Sequence, residues 1–195
     1  MPDNNLKAML DDIHKEAESH DFVNVLMSGK INPDLYGLYL WSQMKRYQVL
    51  EDYCDELGVF DDFPELKRFE RIRADFKENL KLTSQKRAPN FLLQSVVDYM
   101  KTLKAIFEDE EEDSMQLFAH VYTLHMGDLS GGQMIKPNVP GSGTMYDFDS
   151  DIEELKAKVR EKLSDDMEPQ ARACFVDSIK LFDDLMASGI EPYKS

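Results

Sequence analysis

Two cysteines, nine glycines, eight prolines and one tryptophan are all that 195 residues contain of these types. Cys54 and Cys174 lie far apart and form no CxxC motif, so they read as core or surface thiols in a reducing compartment. Basic residues are also scarce. Against 38 Asp and Glu stand 23 Lys and Arg, a formal net charge of −15 that excludes the basic face of a nucleic-acid binder. No apolar run reaches about 18 residues, which excludes a membrane-spanning helix. The opening MPDNNLKAMLDDIHKEAE lacks the apolar stretch of a signal peptide. No alternating strand pattern with hairpin chemistry appears. With 42% hydrophobic and 10% aromatic residues, the chain is nevertheless too apolar for a disordered acidic tail. These absences leave a single acidic, cytoplasmic, all-α domain over residues 1–195.

The few glycines and prolines punctuate long helix-favouring stretches, and six or seven helices are expected. Leu6, Leu10, Ile13, Ala17, Val25 and Leu26 recur at spacings near three and four, predicting an amphipathic helix within residues 3–28. Asn32 reads as an N-cap with Pro33 at the first helical position. The aromatic stretch that follows (Tyr36, Tyr39, Trp41, Tyr47, Tyr53) is closed by Gly58. Further helices are expected from Pro64, after Pro89, from Ser114 up to the glycines that begin at Gly127, over 151–163 and over about 169–187. The acidic run Glu108 to Asp113 reads as a solvated helix junction.

Common site types are missing. There is no phosphate loop, dinucleotide fingerprint, HExxH motif or pair of Glu-x-x-His motifs. What is unusual is a helix with three glycines, His120-Val-Tyr-Thr-Leu-His-Met-Gly127-Asp128-Leu-Ser-Gly131-Gly132-Gln133. Each glycine costs about 1 kcal/mol relative to Ala inside a helix. Gly127 and Gly131 share one face. Either another helix approaches closely there, or a flat ligand lies on the bare backbone, and the cluster also permits a kink. Asp128, beside these glycines, is either an ordinary exposed carboxylate or a group that orders water and relays protons. His14 lies beside the apolar stripe of the first helix, as a core histidine or as an axial ligand to haem iron. His20, nearly half a turn round from it, is expected to face solvent, and His120 and His125 read as packing or pocket groups.

HxYTxxxGDLSGGQ, from His120 to Gln133, resembles the distal-helix signature of the haem oxygenases. Ile13-His-Lys-Glu-Ala-Glu18 is similar to the segment carrying that family's proximal histidine. The similarity extends through SGKINPDLYGLYLWSQMKRYQVLED and FDDFPELKR to YDFDSDIEELKAKVREKL, in the family order. The resemblance implies an all-α fold with haem between the first helix and the kinked glycine-containing distal helix. Haem would be both substrate and O2-activating cofactor, opened to biliverdin, carbon monoxide and ferrous iron. His14 then matches the proximal iron ligand, and Glu18 the acid that hydrogen-bonds its other nitrogen. Asp128 matches the distal Asp whose water network delivers protons to bound dioxygen. Gly127, Gly131 and Gly132 match the glycines of the haem-contacting hinge, and Tyr47 and Tyr122 match tyrosines that flank the haem or join the distal network. Lys7, Lys156 and Arg160 match bases that anchor the propionates.

The chain departs from the family pattern in places. Leu124 and His125 stand where many members have Arg and Tyr, and Asp11 stands where a base is common. The last helix is about two turns short after Pro169, which leaves the placement of Phe175 and Ser178 open. No flavin or iron–sulfur motif is present, so electrons must come from outside, from a ferredoxin or another reductase. Residues 64–87 hold eight basic residues (Lys67, Arg68, Arg71, Arg73, Lys77, Lys81, Lys86, Arg87) and form either a docking face for an acidic donor or a solvated helix surface. The family expectation is a monomer. A haem carrier or sensor without turnover, and a helical enzyme for another small molecule, are the alternatives.

Overall fold

Asn32 and Pro33 start the longest helix as their chemistry dictates: Pro33 takes the first position, and the Asp34 amide donates to Asn32 Oδ1 at 2.9 Å. This computed structural model describes residues 5–109 and 114–194. In chain order the helices are α1 (Leu6–Met9), α2 (Asp11–Glu18), α3 (Asp21–Met27), α4 (Pro33–Glu56), α5 (Phe69–Asn79), α6 (Gln94–Glu108), α7 (Ser114–Ser130), α8 (Gly132–Ile135), α9 (Ile152–Glu161) and α10 (Glu168–Met186). The end of α4 falls at Gly58, whose φ of +67° lets the Val59 amide turn back to the Cys54 carbonyl at 2.8 Å. The fold is all-α; the β pairing among the described residues is a lone bridge between Ile31 and Tyr193. Residues 110–113, the greater part of the acidic run, lie outside the described residues.

Seven helices were expected at most, and the surplus arises at two places. The stretch read as one helix over residues 3–28 is three, α1 to α3. Its last break is made by His20, whose backbone is extended (ψ 142°) and whose Nδ1 accepts from the Phe22 amide at 3.1 Å. His20 does not face solvent: its side chain is 16% exposed, its Nε2 lies 3.0 Å from Asp183 Oδ1, and its ring rests on Phe182. The glycine helix is likewise interrupted at Gly131, between α7 and α8.

α4 buries side chains on every face, including Leu35, Tyr36, Leu40, Tyr47 and Leu50, which makes it the central helix. α5, α6 and α7 pack around it. α10 packs against both α2 and α7, so one long helix fixes the elements that carry His14 and Asp128. Cys54 and Cys174 are free and buried, and burial pushes both thiols up, away from the reactive thiolate form. Among the described residues no helix is long and apolar enough to cross a membrane.

Candidate active site

α2 buries Ile13 and Ala17 and leaves His14 beside them with 48% of its side chain exposed. The Phe175 ring stands edge-on to the imidazole, with centroids 5.6 Å apart, so α10 lines this position. Glu18, one turn on, brings Oε1 to 3.5 Å from His14 Nε2, an ion-pair separation longer than a hydrogen bond. His14 is thus braced on one side and open on another.

The glycines of the distal segment divide into two kinds. A Cβ added to Gly127 would meet nothing within 4 Å, and one added to Gly131 would meet only the Gly127 carbonyl, at 3.4 Å. Among the described residues nothing else comes within 4 Å of a Cβ at either position, so this face is bare backbone. Gly132 is different. An added Cβ would lie 2.4 Å from Tyr146 Cδ1, so Gly132, expected among the haem-contacting glycines, is a packing glycine under the Tyr146 ring.

Asp128 is buried (6% exposed), and Tyr47 Oη donates to its Oδ2 at 2.6 Å. Burial raises the Asp128 carboxyl to about 6, against the Tyr47 hydrogen bond and the nearby His125 and Arg68, which favour the charged form. The same burial raises the Tyr47 phenol, which therefore stays a donor. Tyr122 is half-buried beside Arg160, whose charge partly offsets the upward push of burial on the phenol. Lys7 and Arg160 are exposed; Lys156 is mostly covered and pairs with Glu153 at 2.8 Å.

Two charged residues around this site escaped the sequence reading, and a third, Arg68, entered it only as one of a strip of surface bases. Glu51 is buried one turn beyond Tyr47, and helical spacing alone would have grouped them. Arg46, also buried, donates to Gln43 Oε1 at 2.9 Å and Ser178 Oγ at 3.0 Å, with its guanidinium 4.5 Å from the Tyr99 ring centroid. Arg68 is no surface cation: it is buried against Phe148 and donates to the carbonyls of Glu65, Leu66, Lys67, Met145 and Asp147. Of the other bases in residues 64–87, Lys67, Arg71 and Arg73 pair with Asp55, Asp149 and Glu70. The strip of eight is therefore reduced to Lys77, Lys81, Lys86 and Arg87, all exposed.

Among the described residues, no three His, Cys, Asp or Glu side chains converge for a metal ion. An iron held by His14 must therefore arrive with most of its coordination already supplied, as haem iron does. The bare Gly127–Gly131 backbone and the open imidazole fit a flat ligand of that kind.

The "Heme oxygenase" family model matches residues 3–178, nearly the whole chain. The chain belongs to the haem oxygenase family. Among its relatives in this family, it is 26% identical to "Heme oxygenase 1" of Bos taurus, over 92% of this chain and 70% of that one. It is 27% identical to "Heme oxygenase" of Guillardia theta, over 91% and 83%. The fold matches the crystal structure of heme oxygenase-1 from Synechocystis in complex with heme, with a TM-score of 0.79 at 21% identity, covering 94% of this chain and 91% of that one. It also matches the heme oxygenase of Leptospira interrogans, with a TM-score of 0.77 at 23% identity over 92% and 97%. As a member of the haem oxygenase family the chain acts in haem degradation.

Proposed function

We propose that this haem oxygenase opens the haem ring by three successive oxygenations, yielding biliverdin, carbon monoxide and ferrous iron. It works as a cytoplasmic monomer on electrons from a ferredoxin or another reductase. The observation that carries this reading is the buried Asp128 carboxylate, tied to Tyr47 immediately beside an open glycine face. Simple haem storage needs an axial histidine and a flat slot; it has no use for a carboxylate held near neutrality.

When bound, haem supplies both the iron that activates O2 and the ring that is oxidised. His14 holds the iron from the α2 side, and Glu18 restrains the imidazole and raises its basicity. Gly127 and Gly131 admit the ring face to the backbone of α7. Asp128 accepts protons at its carboxylate and passes them on through water, while the Tyr47 hydroxyl fixes the carboxylate's orientation. Tyr122 flanks the slot. Lys7, Lys156 and Arg160 attract the propionates of a substrate that must enter a strongly acidic protein.

The test is an absorption time course of the protein with one equivalent of haem, followed by ferredoxin, its reductase and NADPH under air. A Soret band that decays into a broad red biliverdin spectrum is expected. A stable Soret band under proven electron delivery would assign a carrier instead, and no Soret shift would remove haem altogether.

A further inference from the structure

His125 is buried (1% exposed) on α7, one turn before Asp128, with its ring packed on Tyr47 at 5.0 Å and Phe60 at 5.7 Å between centroids. Both ring nitrogens face acceptors. Nδ1 is 3.1 Å from the Val121 carbonyl, and Nε2 is 3.3 Å from Glu51 Oε1. A neutral imidazole carries one N–H and satisfies one of these; the imidazolium satisfies both. Glu51 is itself committed as an acceptor. Its carboxylate takes the Arg68 amide at 2.6 Å and the Phe69 amide at 3.2 Å, which caps the first turn of α5. The carboxylate is therefore fixed by two backbone donors, and Oε1, which takes the Arg68 amide, is also the oxygen that faces His125.

We propose that Glu51 fixes His125 as a buried imidazolium, and that this charge, placed against Tyr47, makes His125 a positioning residue that keeps Asp128 able to give up its proton. The proposal rests on the reading of Asp128 as the proton-handling group and adds the device that tunes it. The groups facing Asp128 come from α4 (Tyr39, Tyr47, Glu51), from the head of α5 (Arg68), from the Thr144–Tyr146 turn (Tyr146) and from α7 itself (His125). Of these, Tyr47, His125 and Arg68 favour the carboxylate, and Glu51 opposes it. Arg68 spends its guanidinium on backbone carbonyls, which leaves His125 as the cation on the same helix as Asp128.

The test uses the full-length haem-free chain, so it stands or falls independently of turnover. In protein labelled with 15N-histidine, the His125 ring nitrogens are expected at imidazolium shifts between pH 6 and 8; a neutral tautomer there overturns the proposal without any variant. The Asp128 carboxyl, followed by difference infrared spectroscopy against Asp128→Asn, is expected to titrate about one unit higher in His125→Gln. Glu51→Gln is expected to return the ring nitrogens of His125 to neutral shifts. An unmoved Asp128 midpoint in a folded His125→Gln protein would overturn the positioning role. A turnover defect with both titrations as expected would instead fall on the haem-degrading reading.

Discussion

Tyr47 and Asp128 stand 81 residues apart in sequence and share a 2.6 Å hydrogen bond inside the core, one helix supplying the donor and the other the carboxylate. A charge-assisted bond of that length stabilises the ionised form of Asp128, while burial opposes it and holds the carboxyl near 6. Tyr47→Phe removes the donor and keeps the ring. The Asp128 midpoint is then expected to rise, moving the acid limb of the turnover–pH profile toward neutrality. An unmoved limb would separate Asp128 from proton handling.

The same raised carboxyl has a stability consequence whose sign is fixed. A folded-state value of about 6 against an ordinary 3.8 means that the folded protein holds this proton more tightly than the unfolded chain. Its stabilising contribution is present at low pH and is lost as pH rises through about 6. Asp128→Asn keeps an acceptor for Tyr47 and removes the titration. Urea denaturation should show the variant gaining on the native protein by about 2 to 3 kcal/mol between pH 3.5 and 8. Turnover should fall sharply although haem still binds.

Gly127 and Gly132 should respond in opposite ways to the same substitution. Gly127→Ala fills open space beside the helix, so thermal stability is expected to hold or improve by up to about 1 kcal/mol while haem affinity falls. Gly132→Ala drives a methyl into the Tyr146 ring, an overpacking that costs about 1 to 3 kcal/mol. Melting curves and haem titrations on the pair separate the two roles. Equal loss of haem affinity would place Gly132 in the slot after all.

His14→Ala is expected to abolish the native Soret spectrum, and added imidazole should restore it, because the cavity left beside Phe175 accepts a free ring. Optical spectra of native quality in the variant without imidazole would move the iron ligand elsewhere.

The four exposed bases Lys77, Lys81, Lys86 and Arg87 carry what is left of the docking expectation. Reversing them to Glu should raise the KM for reduced ferredoxin and flatten its salt dependence, with haem affinity unchanged. Constant KM would exclude this face.

How much of this was legible beforehand follows from range. The Asn32–Pro33 start and the Gly58 stop are set by residues within a few positions of one another, and both stand in the fold. His20 misled because helical periodicity ran through it, whereas its ring caps α3 and meets Asp183 across 163 residues. Gly127 and Gly132 look alike in sequence; their difference lies wholly in whether Tyr146 stands in front of them.

Sequence by itself determined the helical class and the signature from His120 to Gln133, since composition, periodicity and short motifs are local properties. Tertiary structure decided the rest. Which glycine face is open, that Arg68 is buried while Lys77 is not, and that Asp128 is joined to Tyr47 and surrounded by Glu51 and His125 all depend on helices distant in the chain. The physical reason is that a carboxylate's proton affinity depends on the charges and dielectric around it, and those are supplied by packing rather than by neighbours in sequence.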